Sequence, residues 1–453
     1  MTGHPTRAPR TGGFTEVVRQ APYRRLLAVR LSSQLGDGMF QAGLASFVLF
    51  NPTEAPTAPL VAGALSVAVL PFTVVGPFAG VLLDRWPRQR VLLVSNLVRA
   101  VLVAGIAAVV LASGGTPTGA TYAALYEVVL AALTVNRFLL AGLGASLPKT
   151  VRRHLLVPAN AITPTLGTGA FGTGFGLGLL VRLLAGSGAA TDAGILALAG
   201  LLFLSGALLA ARIGRHDLGP DERTEASTGQ AVLAVLRGLR EGAVHVWRRP
   251  APRNAIAVIG AHRFAYGIAT IATFLLARGY LSDDVDTGLG ILGLAGGAAA
   301  GGALLAAGLT PTMTRRLDAL PRGRRAGLDG LDAWVALALL VAFGVEILYL
   351  LGVAVWSLTA GAFVLGLAGQ VVKIAADTHV QSGVEESVRG RAFALYDVVY
   401  NAAFVLAAAL GALIIPDDGY SRLLYAFIAT MYLATGAAYV RAGRRTAGSA
   451  ERP

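Results

Sequence analysis

Gly80-Val-Leu-Leu-Asp84-Arg85-Trp-Pro-Arg88-Gln-Arg90 is a short charged turn between two apolar stretches. Upstream, roughly residues 58–83 are long enough to cross a bilayer as a helix. Downstream, roughly 91–112 are long enough to cross back, since a helical span takes about 20 apolar residues. A turn this short, carrying one acid and three arginines, belongs at the membrane surface, because charge in hydrocarbon is costly.

Working outward, the composition points the same way. The chain has 453 residues, 55% of them hydrophobic, and a mean hydropathy of +0.64, too apolar for an ordinary soluble enzyme. Its two longest polar segments are the first 25 residues and roughly 212–253, which leaves no room for a separate catalytic domain. No apolar core precedes Leu26, so no cleavable signal peptide is expected. The absence of cysteine excludes a disulfide framework, a thiolate metal site and a cysteine nucleophile. Only Lys149 and Lys373 are lysines, so the basic charge is almost all arginine.

Apolar runs predict spans near 26–50, 58–83, 91–112, 119–145, 160–184 and 190–211, then 254–278, 288–309, 331–354, 357–377, 392–415 and 420–441. The organisation that follows is a tail (1–25), a six-helix bundle (26–211), a linker (212–253), a second six-helix bundle (254–441) and a tail (442–453). Basic residues gather on one side of this arrangement, and only Arg182, Arg278 and Arg422 fall near the other. Cytoplasmic loops retain Lys and Arg, so both termini are expected in the cytoplasm of a bacterial cell, with the chain in its inner membrane. The opposite loops, 282–286, 416–420 and 113–117, are acidic or neutral. A net charge of +13 therefore reads as a topology signal that meets anionic headgroups, not as a nucleic-acid footprint. In the linker, Val232, Val235, Leu236, Leu239, Ala243, Val246 and Trp247 recur at helical spacing, which predicts an amphipathic helix on the inner leaflet.

Shifting the first half by about 230 residues lays Arg85 near Arg315, where a second basic turn follows the eighth span with Thr314 in the acid's place. The Gly80…Asp84-Arg85…Arg88…Arg90 turn resembles the signature loop between the second and third helices of the major facilitator superfamily. Arg137-Phe-Leu-Leu-Ala-Gly142-Leu-Gly144 in the fourth span resembles that superfamily's arginine-and-glycine motif. Lys373-Ile-Ala-Ala-Asp377-Thr-His, followed by Arg389-Gly-Arg391-Ala-Phe-Ala-Leu-Tyr396-Asp397, is similar to the loop between spans 10 and 11 of bacterial efflux members. The resemblance covers nearly the whole chain and is nearest the drug:proton antiporter-like branch with macrolide and siderophore exporters. It implies an all-α membrane protein of twelve transmembrane helices in two pseudo-symmetric six-helix bundles, with substrate near the midplane between the halves. It also implies a conformational gate of Gly80, Asp84, Arg85, Arg88, Arg90, Arg389 and Arg391. One departure stands out: the antiporter Gly-Pro turn of span 5 is replaced by a glycine run, with Pro164 upstream.

That run contains Gly167, Gly169 and Gly172 at dinucleotide-binding spacing, and Gly288, Gly290 and Gly293 repeat it in span 8. Neither follows a strand, as phosphate binding requires. With Gly293, Gly297 and Gly301 spaced every four residues, both runs read as small-residue helix contacts, and the superfamily resemblance implies that spans 5 and 8 face each other. Pro148 and Val372 precede the two lysines where a phosphate-binding loop needs glycine, which excludes a nucleoside-triphosphatase pump.

Ionisable residues inside spans line cavities or pair with one another. Candidates for the coupling and substrate cavity are Asp37, Glu127, Arg137, His262, Arg263 and Lys373. Asp37 begins about eleven residues into span 1, so ~16 Å deep, and Arg137 and Arg263 reach similar depth. Asp37 is thus expected either to form a fixed pair with one of those arginines or to carry a proton or engage substrate; Arg99 is assigned a structural role or an acid nearer the inner end. Glu346, on a peripheral span, reads as packing. No metal site and no cofactor is expected. The resulting expectation is a monomeric, non-enzymatic secondary transporter that exports amphipathic small molecules against protons. An importer or uniporter of a small solute, and a non-transporting scaffold or sensor, are the competing readings.

Overall fold

The computed structural model describes residues 14–44, 59, 62–63, 86–115, 119–152, 155–219, 228–321, 323 and 327–450. Most of the second span and Gly80, Asp84 and Arg85 lie outside the described residues. The described elements are helical: α1 Phe14–Arg19, α2 Ala21–Leu44, α3 Arg88–Ala112, α4 Gly119–Ser146, α5 Leu156–Ala185, α6 Ala189–Ala211 and α7 Thr228–Trp247. They continue as α8 Pro250–Leu275, α9 Val285–Asp318, α10 Gly330–Tyr349, α11 Val355–Gly383, α12 Glu386–Ile414 and α13 Arg422–Ala450. Ten of these helices are long and apolar enough to cross a membrane. Their apolar surface is turned outward, with Leu184, Leu304, Leu413 and Leu423 all more than 70% exposed, as suits a lipid solvent.

The chain divides into two compact units that part between Val232 and Leu233 in α7. In the first unit, α2 packs on α5 and α6, and α3 on α4 and α6. Glycine sets the closeness of α2 and α5: a Cβ at Gly38 would collide with the Phe171 carbonyl, and one at Gly174 with the Leu35 carbonyl. At the end where α2 starts, Tyr23, Leu26, Leu92, Leu139, Leu143 and Ile213 form a buried apolar cluster.

In the second unit α9 packs on α11 by the same means, Gly302 against the Phe363 carbonyl and Gly366 against that of Ala299. Helix α8 is central, touching α11, α12 and α13, while α10 packs on α9, α11 and α13. Successive helices alternate in direction, so Arg315 and Arg316 at the end of α9 share an end of the unit with Arg441 and Arg444. The other end carries the acidic turns around Asp283–Asp284 and Asp417–Asp418. Asp284 caps α9 by accepting from the Thr287 N–H (2.8 Å) and hydroxyl (2.7 Å).

Two boundaries differ from the sequence expectation. The break between spans 9 and 10 falls at Leu350–Ala354, not at Trp356–Ser357. Gly352 takes φ 123° there, and Ser357 accepts from the Ala354 N–H at 2.9 Å, which starts α11 two residues before it. Helix α9 runs on to Asp318, past Pro311 and well beyond the expected end at 309, because polar residues leaving the bilayer can stay helical in water.

Candidate functional site

In the first unit Asp37 and Arg99 form a buried ion pair between α2 and α3, with exposures of 4% and 1%. The guanidinium carbon lies 3.8 Å from the centroid of the Phe203 ring on α6. Gly36 makes room for that ring, since a Cβ would approach Phe203 Cε1 to 2.7 Å. Asp37 is enclosed, and its partner is Arg99, not Arg137 or Arg263 as the sequence suggested. Sequence position gives the depth of a side chain and not the direction it faces, and α3 rather than α4 presents the arginine. Arg137 is half-buried on α4, and Glu127 is exposed on the same helix.

Arg88 has a clear structural task. Its guanidinium donates to the carbonyls of Ala145 (2.7 Å) and Leu218 (3.2 Å), and its N–H to Gly219 (3.0 Å). It thereby ties the start of α3 to the carboxyl end of α4, where a cation meets unsatisfied carbonyls. Arg90 is exposed. Of the singled-out glycines, Gly167 faces Arg30 and Gln34 of α2 in its own unit, and a Cβ at Gly301 would come to 3.8 Å from the Phe363 ring, ordinary contact. Gly169, Gly172 and Gly297 meet nothing within their own units.

In the second unit the cavity candidates sit on α8, α11 and α12. The Arg263 guanidinium carbon is 4.5 Å from the Tyr400 ring centroid, 4.6 Å from Phe404 and 5.7 Å from Tyr266. The half-buried guanidinium is held by three ring faces, and among the described residues no carboxylate pairs with it. Tyr400 stacks on Tyr396 at 6.1 Å, and Lys373 Nζ lies 6.0 Å from the Tyr396 ring while pairing with Asp377 (2.7 Å) one helical turn away. The result is a row of two stacked rings with a cation at each end. His262, 4% exposed, is wedged between Tyr266 and Tyr432, with its Nε2 against Gly369, where a Cβ would come to 2.9 Å. The aromatic partners were missed in the sequence reading, although Tyr396, Tyr400 and Phe404 recur every four residues on one helix, the spacing of a single face.

Arg391 pairs with Glu241 (2.6 Å), docking α7 onto the start of α12, where Gly242 lets the chains approach. Both side chains are about half exposed, so the bridge adds little stability. Arg240, His245, Arg248 and Arg391 line an open recess of ≈ 430 Å³ beside it. Arg389 is half-buried in the first turn of α12. Among the described residues no group of His, Asp and Glu is arranged to hold a metal ion.

Long apolar helices in two units, with charges buried among them, define a multi-span membrane transporter. No family model matches the chain. A protein of Mycobacterium bovis described as an uncharacterized MFS-type transporter is 36% identical over 434 residues, 94% of this chain and 93% of its own. A Mycobacterium tuberculosis protein of the same description matches to the same extent. Among solved structures, the nucleoside transporter NupG superposes with a TM-score of 0.65 at 14% identity, covering 92% of this chain and 99% of that one. The peptide transporter POT gives 0.64 at 15%, covering 96% and 97%, and a bacterial homologue of the lysosomal transporter Spinster gives 0.60 at 13%, covering 94% and 98%. The chain therefore belongs to the MFS-type transporters, the major facilitator superfamily. It is a bacterial multi-pass membrane protein that moves small solutes as a secondary transporter, and its relatives are named as transporters, not enzymes.

Proposed function

We propose that this protein is an importer or uniporter of a small solute working by alternating access, and not a drug:proton antiporter. The observation that carries this reading is the Asp37–Arg99 pair. Antiport through the first unit called for a mid-membrane carboxylate free to change partners, and Asp37 is instead enclosed with a fixed guanidinium and a ring. The missing proline turn in span 5 supports the same conclusion. The row of Arg263, Tyr400, Tyr396 and Lys373 offers the solute both ring faces and positive charge, which suits a compound with a planar or anionic group.

Both termini lie in the cytoplasm in this reading, twelve spans form two six-helix repeats, and the basic recess beside α7 faces anionic headgroups of the cell membrane as the protein works as a monomer. Reporter fusions at Arg10 and after Arg445 should read cytoplasm, and one at Ser282 the outside; an outside reading at either terminus overturns the orientation. Direction is tested with labelled nucleosides, dipeptides and amino acids, and with ethidium as an exported probe. Right-side-out vesicles carrying the protein should take up at least one labelled solute above vector controls. Energised accumulation of ethidium in inside-out vesicles, with no such uptake, would establish efflux instead.

A further inference from the structure

Glu346 is the seventeenth of twenty residues in α10 and is fully enclosed, at 0% exposure. Neither of its carboxylate oxygens has a hydrogen-bond partner among the described residues. Among the described residues, the elements packed against α10 bring it no charge. On α9, Arg315 and Arg316 lie in the last turn, at the basic end. On α11, His379 bonds Asp332 (2.8 Å) in the first turn of α10, ~21 Å along the helix from Glu346, and Lys373 is paired with Asp377. On α13, Arg422 is exposed, and Arg441 and Arg444 lie at the far end. What does come within electrostatic reach are hydroxyls: Tyr349 on α10 itself, and Tyr425 and Tyr432 on α13.

An ionised carboxylate with no counter-charge and no donor is among the costliest groups to bury, whereas the neutral acid loses only hydrogen bonds. Two more enclosed polar atoms of the unit are unpartnered among the described residues, the hydroxyl of Tyr432, which lies in electrostatic reach of Glu346, and His262 Nδ1; the Tyr432 and His262 rings lie 5.8 Å apart. Toward the acidic end of the unit the aromatic contacts continue. Tyr349 meets Tyr425 edge-on at 5.3 Å, Tyr425 lies 5.8 Å from Tyr420, and Tyr420 stacks at 4.9 Å on the exposed Tyr280. Tyr349, Tyr425 and Thr273 also line a cavity of ≈ 20 Å³, room for about one water.

We propose that Glu346 is a proton-binding site of the second unit, loaded from the acidic end past Tyr280, Tyr420 and Tyr425 and able to share its proton with Tyr432 and His262. The step is proton transfer alone: a solvent hydronium gives up H⁺, an O–H bond forms at Glu346, and release returns the proton to water or to His262 Nδ1. The site names the proton as coupling ion for the importer form of the transport reading above, on which that role rests; its chemistry does not.

The test is infrared spectroscopy of the purified full chain at neutral pH with no solute present. Wild type should show a carboxylic acid carbonyl band that Glu346→Gln removes, because glutamine keeps the shape of the neutral acid but has no such group. Tyr432→Phe should shift that band, since it withdraws a hydroxyl within electrostatic reach that has no other partner among the described residues, and this second variant decides the matter if Glu346→Gln does not fold. A wild-type spectrum without the band, a band unchanged in Glu346→Gln, or one unshifted in Tyr432→Phe overturns the proposal. Because no solute is needed, a failed uptake assay would leave the proton site standing, and a missing band would leave the transport reading standing.

Discussion

Asp37 and Arg99 neutralise each other inside the first unit, with the Phe203 ring centroid 3.8 Å from the guanidinium carbon. The pair joins two helices that otherwise meet chiefly through α6, which packs on both. Its energetic asymmetry is the useful property. Taking two charges out of water is expensive, so the intact pair adds little net stability, but removing one partner strands the other.

Asp37→Ala is therefore expected to destabilise the protein by about 3–5 kcal/mol, whereas Asp37→Leu combined with Arg99→Met should recover most of that loss. Thermal unfolding in detergent reads both. A single variant as stable as wild type would mean that Arg99 finds another partner and that the pair is not structural.

The glycines give a paired prediction with opposite signs. A Cβ at Gly366 would run into the Ala299 backbone, which cannot yield without parting α9 from α11. Gly366→Ala should cost about 1–3 kcal/mol, the range for overpacking. At Gly297, on α9, a Cβ meets nothing in its unit, so Gly297→Ala should be neutral or stabilising by up to about 1 kcal/mol through helix propensity. If Gly297→Ala folds normally yet slows transport, its hydrogen face serves a moving contact rather than a static one.

Asp284 supplies a pH dependence with a definite sign. The Thr287 hydroxyl and then its N–H hold the Asp284 carboxyl below the usual range, and nearby Arg278 adds to this. A depressed value in the folded state means that the cap contributes fully above the ordinary carboxylate range and is lost only as pH falls through the lower value. Hydrogen exchange in the first turn of α9 should accelerate at that acid transition, and Thr287→Val should move the transition upward. Exchange independent of pH in wild type would show that the cap does not hold the turn.

Most of the spans were legible because a long apolar run in water has few other fates, and α3, α4 and α6 begin and end within a few residues of their hydrophobic limits. The enclosure of Asp37 was legible too, since an acid well inside an apolar run has to find a polar partner. Its partner was not. Arg99 and Arg137 are equally arginine, and only the azimuth of each helix, fixed by contacts such as Gly36 against Phe203, decides which one meets the acid. Glu346 was set aside as packing for a related reason: one carboxylate on a peripheral helix looks incidental until His262 and Tyr432, contributed by two other helices, are seen beside each other.

Arg263 lies among Tyr266, Tyr400 and Phe404 and pairs with no carboxylate among the described residues, so its charge is stabilised by ring faces. That arrangement depends on the flat, weakly hydrated guanidinium, which a lysine ammonium does not reproduce. Tyr400→Phe keeps the face and should leave solute uptake close to wild type. Tyr400→Leu removes it, at about 0.5–2 kcal/mol, so apparent solute affinity should fall on the order of 2- to 30-fold if the row binds solute. Arg263→Lys should be impaired at least as much as Tyr400→Leu while retaining the charge. The discriminating readout is the KM for whichever labelled solute wild-type vesicles take up. A loss confined to the maximal rate, with KM unchanged in both variants, would assign the row to helix packing and remove it from solute recognition.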